Sequence, residues 1–139
     1  MSEDFDILIT GVQNYADGDD RLELQTVGQY QEKDGKTYIR YKEYDEENPN
    51  QFHRVTLEIE GEKVVMSHEE SATRLVLEKG RRYLCGYDTE FGMMQLGVFT
   101  RTFSSDLAEN GGELHLEYTL DVDSKLSSTN ELTVTVRRR

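Results

Sequence analysis

The sequence has one cysteine, one proline and no tryptophan, and its basic residues are well outnumbered by acidic ones. Cys85 alone excludes an internal disulfide and a zinc site built from several thiolates, and both exclusions fit a reducing cytoplasm. No stretch of about 20 apolar residues occurs, so no membrane-spanning helix is expected. The opening MSEDFDILITG carries acidic residues where a signal peptide needs basic ones, and Asp6 interrupts its apolar run, so secretion is not expected. With 16 basic against 28 acidic residues the formal net charge is −12. Long-range repulsion then disfavours nucleic acid and anionic membranes as partners. The terminal run Arg137-Arg138-Arg139 is too short to act as a nucleic-acid arm.

Catalytic signatures are equally scarce. Gly92-Met93-Met94-Gln95-Leu96-Gly97 has the glycine spacing of a phosphate loop, but Val98 and Phe99 follow where that loop needs lysine and a hydroxyl. No cation for phosphates and no magnesium ligand are therefore supplied. There is no G-x-S-x-G elbow. His68-Glu69-Glu70-Ser71-Ala72 lacks the second histidine of a helical zinc-protease motif. Cys85, mid-strand beside Leu84, reads as a packed thiol without activation. No cofactor and no metal is expected.

What the sequence has is alternation. Leu114, Leu116, Tyr118, Leu120 and Val122 alternate with polar residues, as do Leu132, Val134 and Val136, and Val55, Leu57 and Ile59. Period two marks strands with one buried face. Phe5, Ile7 and Ile9 open a first strand, and Leu22, Leu24, Thr26, Gly28 and Tyr30 line a second. Hairpin turns are expected at Lys33-Asp34-Gly35-Lys36, Glu60-Gly61-Glu62-Lys63 and Glu78-Lys79-Gly80-Arg81. Pro49 lies in the polar stretch Glu46 to Gln51, the best loop in the chain, and Ser104 to Asn110 is the one place for a short helical turn. The 139 residues make one domain, 1–139, with no visible linker. The class is all-β, an antiparallel meander. Gly11, Gly28, Gly86 and Gly97 interrupt strand-like runs and suit the strong curvature of a small closed barrel of about 8–10 strands.

Several polar side chains share parity with apolar ones: Thr26 and Tyr30, Glu43 beside Ile39 and Tyr41, Thr89 beside Tyr83 and Tyr87, Thr100 beside Leu96 and Val98. His53 shares the parity of Val55 and should point inward, whereas His115 points away from the leucine face and reads as solvated. A polar group on a core face needs a partner. If these groups meet inside one barrel they form either a polar pocket or a hydrogen-bonded plug. The candidate lining is Tyr30, Tyr41, Glu43, His53, Tyr87 and Thr100. Arg40, Arg74 and Arg101 could serve as counter-ions, although parity puts each on the opposite face of its strand.

The runs 22–30, 33–35 with 38–43, 86–92 leading to 96–100, and 111–114 with 118–121 together resemble the YwiB-like family of small bacterial proteins without a characterised activity. The resemblance covers nearly the whole chain. It implies a calycin-type barrel similar to the lipocalins and a cytoplasmic setting, and it carries over no catalytic residues. The Gly-x-Trp signature of true lipocalins cannot be present without a tryptophan. The first functional expectation is a non-enzymatic protein that binds a small amphipathic molecule in the barrel. One alternative is an interaction protein with a solid barrel and an acidic binding surface. Another is an enzyme using Glu43 and His53 as an acid–base pair.

Overall fold

The computed structural model of the chain describes residues 5–15, 18–44, 50–69, 71–89, 91–122 and 125–139, with Thr89 described in its backbone only. The expected Pro49 loop lies largely outside the described residues. Ten strands follow one another: β1 (Phe5–Tyr15), β2 (Gly18–Lys33), β3 (Lys36–Tyr44), β4 (Phe52–Glu60), β5 (Lys63–His68), β6 (Arg74–Glu78), β7 (Arg82–Thr89), β8 (Gly92–Ser105), β9 (Gly111–Val122) and β10 (Lys125–Arg138). Each pairs antiparallel with its chain neighbours, and β1 also pairs with β10 from Phe5↔Arg138 to Asn14↔Thr129. The meander is thereby closed into a barrel, as alternation and the hairpin turns predict. No helix among the described residues is long and apolar enough to cross a membrane.

At the expected β2–β3 turn, Asp34 and Gly35 both take positive φ, 54° and 80°. That is what a two-residue turn matching the strand twist demands, and aspartate and glycine tolerate it. The turns at Gly61 and Gly80 are also present. Together with the β8–β9 connection they lie at one end of the barrel, called lower here. β1, β3, β5, β7 and β9 finish at the opposite, upper end.

The lower interior is aliphatic. Ile7, Ile39, Leu57, Leu77, Leu114, Leu116, Val64, Val134 and Val136 are all shielded from solvent, each from an inward parity position. Burying each such side chain contributes about 1.5–3 kcal/mol. The segment Ser104 to Asn110 forms no helical turn, contrary to expectation. Glu113 N–H donates to Asp106 Oδ1 at 2.6 Å, Leu107 N–H to Ser105 Oγ at 3.4 Å, and Ala108 and Gly111 exchange backbone bonds. Ser and Asp side chains thus satisfy the local backbone in a turn, the alternative they offer to a helix. Leu107 packs on the core and closes the lower end.

Two of the four strand glycines are explained by close approach. A Cβ at Gly28 would run into Arg40 O and Ile7 Cδ1, and one at Gly97 into the Arg82 and Asp121 side chains. At Gly11 a Cβ would meet nothing nearer than 3.7 Å, so that glycine is not forced by a neighbour. The register shifts by one residue at Arg101 in β8 and at Ser127 in β10, bulges of the kind that bend a strand.

Candidate functional site

Above the aliphatic floor one tier of inward residues carries polar groups, and buried Leu96 and Val98 lie above it on β8. β8 brings Thr100, β9 Tyr118 and β10 Asn130 side by side, since Thr100 pairs with Tyr118 and Tyr118 with Asn130. Asn130 Nδ2 donates to Ser128 Oγ at 3.1 Å and to Tyr118 O at 3.4 Å, and both Asn130 and Ser128 are buried. Across the barrel, Tyr41 is in register with Val55, and Val55 with His68. Thr73 Oγ1, also buried, accepts from Asp88 N–H at 3.0 Å.

The electrostatics bind this tier together. Burial pushes the Tyr118 hydroxyl up to about 12, with Tyr87 and Tyr15 adding to the shift. Burial likewise drives Tyr41 well above the ordinary tyrosine value, with Glu43 and Tyr118 adding to it. Both phenols therefore stay neutral across physiological pH and can donate hydrogen bonds. Thr100 is fully buried, and its Oγ1 has no hydrogen-bond partner among the described residues; neither has the buried Nδ1 of His68.

Of the six residues expected in the lining, the structure brings Tyr41, Tyr87 and Thr100 around Tyr118, with Glu43 beside Tyr41. Tyr87 is nonetheless 40% exposed, because it lies near the upper end of β7. His53 is a correction: it stands opposite Glu43 in the β3–β4 register but is exposed, two residues into its strand at the upper rim. Tyr30 is another, since it belongs to the lower end. Its hydroxyl donates to Ala108 O at 2.8 Å and its ring packs on Phe5, so it braces the closing segment. Arg40, Arg74 and Arg101 are exposed on the outer face, and Arg101 pairs with Glu117 at 3.0 Å. Cys85 is buried and free, accepting Val76 N–H at 3.3 Å.

Sequence reasoning missed Tyr118, Ser128, Asn130, His68 and Thr73 as members of the tier. The signal existed: Ser128 and Asn130 share parity with Val134 and Val136, and Tyr118 with Leu114 and Leu116. The rim above is apolar, with Tyr15, Tyr44, Phe91 and Leu126 exposed at or next to the upper strand ends.

A closed, ten-stranded antiparallel barrel with an aliphatic floor and a tier of buried polar side chains above it is the class of protein this fold defines. The chain belongs to the DUF1934 family, a domain of unknown function whose model matches residues 7–134. It is similar to the uncharacterized beta-barrel protein YwiB of Bacillus subtilis (strain 168), at 27% identity over 114 residues, 82% of this chain and 79% of that protein. The crystal structure of the ywiB protein from Bacillus subtilis superposes with a TM-score of 0.84 at 20% identity, covering 97% of this chain and 91% of that one. The family resemblance carried by the strand and hairpin runs is thereby borne out, and so is the barrel.

Proposed function

We propose that the upper interior of the barrel binds a small amphipathic molecule in a cytoplasmic, non-enzymatic role. Its polar head would lie among Thr100, Tyr41 and Tyr118, and its apolar part against the rim of Tyr15, Tyr44 and Phe91. The observation that carries this reading is the Thr100 hydroxyl, buried without a partner among the described residues. A buried unsatisfied hydroxyl costs about 1–3 kcal/mol, so a group that supplies its partner recovers that energy. Among the described residues, the tier of Thr100, Tyr118, Ser128 and Asn130 places buried polar groups directly against apolar ones. Net charge −12 argues against nucleic acid and anionic membranes as partners, and the single buried thiol suits a reducing compartment.

Native mass spectrometry of the protein purified from its own host, followed by thermal-shift assays with metabolite fractions, tests the reading. The wild type should carry or gain an organic adduct that raises its melting point. Thr100→Val should melt higher than the ligand-free wild type, by the equivalent of about 1 kcal/mol, and should lose the adduct. A clean apo mass with no stabilising fraction would remove the proposal and favour a solid barrel acting through its acidic surface.

A further inference from the structure

We propose that the outer face of β9 and β10 carries a binding site for a first-row divalent transition ion, held by His115 Nε2, Glu117 Oε1 and the Glu131 carboxylate. The register makes the arrangement. Glu117 lies directly opposite Glu131, and His115 directly opposite Thr133, so these four residues form the corners of one rectangle on the sheet. All four belong to the outward parity set, whose spacing along and across the ladder is fixed by backbone hydrogen bonds. Like charges facing each other across a ladder are unfavourable by themselves. A cation between Glu117 and Glu131 removes that penalty.

The donor atoms left over point at one another. His115 Nδ1 is 2.9 Å from Thr133 Oγ1. In the tautomer in which Nδ1–H donates to that hydroxyl, the lone pair of Nε2 faces away from Thr133 and toward Glu117. Glu117 in turn uses one oxygen for its other partners: Arg101 Nη2 and Thr102 Oγ1 both donate to Oε2 at 3.0 Å. Its second oxygen, Oε1, stands 3.6 Å from His115 Nε2, too far for a good hydrogen bond. A carboxylate of Glu131 completes a set whose ligand atoms all lie within 4.8 Å of one another. Tetrahedral coordination with bonds of about 2.0–2.1 Å separates ligand atoms by roughly 3.3 Å, so one pair is nearly in place and the third needs a small side-chain movement.

Orientation of the ligands by outside groups is the usual companion of a metal site. Here it depends on the β8 bulge. Thr100 faces inward opposite Tyr118, yet after the extra residue Arg101 it is Thr102 that stands opposite outward Glu117. The bulge therefore delivers two consecutive donors, Arg101 and Thr102, to the same carboxylate oxygen. One imidazole and two carboxylates suit zinc and its first-row neighbours, and three protein ligands leave a position for water.

Isothermal titration of zinc chloride into the chelator-treated full-length protein tests the site. The wild type should take up one equivalent, His115→Ala and Glu131→Gln should bind at least about tenfold more weakly, and Glu113→Gln, an exposed carboxylate on the same strand, should bind as the wild type does. Glu131 is exposed, so Glu131→Gln keeps the barrel intact, which an unchanged metal-free melting point verifies. No uptake by the wild type, or equal uptake by His115→Ala and Glu131→Gln, overturns the proposal.

Discussion

The tyrosines of the interior give the molecule a measurable alkaline limb. An unfolded tyrosine ionises near pH 10, whereas Tyr118 and Tyr30 are held to about 12 and Tyr41 is raised further in the same direction. A raised folded value means that the unfolded chain loses its proton first. The associated stability is complete below about pH 10 and falls as pH climbs through the folded values. Ultraviolet titration of the phenolate band should show these three phenols ionising late, in step with loss of strand circular dichroism. Tyr118→Phe should make the alkaline loss of stability shallower; an unchanged slope would show that Tyr118 ionises in the folded barrel as it does in the unfolded chain. The same residues mark how far sequence reading reaches. Parity gives the side of the sheet on which a residue stands, so Tyr41 and Thr100 were readable as inward. It gives no position along the barrel axis, and so could not separate rim-exposed His53 from buried Val55, or lower-end Tyr30 from upper-end Tyr41.

At the level of the strand, two glycines predict two different costs. A methyl group at Gly28 would press on the Arg40 carbonyl, which cannot move without opening the β2–β3 ladder, and on the Cδ1 methyl of Ile7 in β1. Gly28→Ala should therefore destabilise by about 3 kcal/mol. At Gly97 the obstacle is the bidentate Arg82–Asp121 pair, 2.6 and 3.0 Å, which consists of side chains. Gly97→Ala should cost only about 1–2 kcal/mol. Chemical denaturation of both variants decides the order, and equal costs would refute the account. Strand identity was legible because apolar alternation is uninterrupted through β9, from Val55 to Ile59 in β4 and from Leu132 to Val136 in β10. Bulges were not, because an extra residue looks the same as any other until its partner strand is known. The β8 bulge is why Thr102 turned out to face Glu117, and cross-strand register is why His115, legible only as outward and solvated, turned out to neighbour Glu131.

For the whole molecule, the decisive property is that the described strands close into a ring, with β6 and β7 joined at the single pair Arg74↔Gly86. A ten-stranded meander left open would present two long rows of unpaired backbone groups, a template for aggregation, and the β1–β10 ladder covers both. Most stabilising contacts are then between strands adjacent in the chain, with this one ladder joining the first to the last. That closure was legible in the one-faced strands and the glycines interrupting them, which called for a small barrel, but neither partner of the closing pair could be named.

Because Phe5 lies beside Arg138, the chain is topologically a ring with one cut in it, and the position of that cut is arbitrary as far as the ladder is concerned. A circular permutant opened between Asp34 and Gly35 and joined end to end through a short linker should fold to the same barrel, since an exposed turn tolerates new termini. Its far-ultraviolet circular dichroism should match the parent and its unfolding should remain a single transition. Two separate transitions would show that strands near the original ends depend on chain order as well as on pairing.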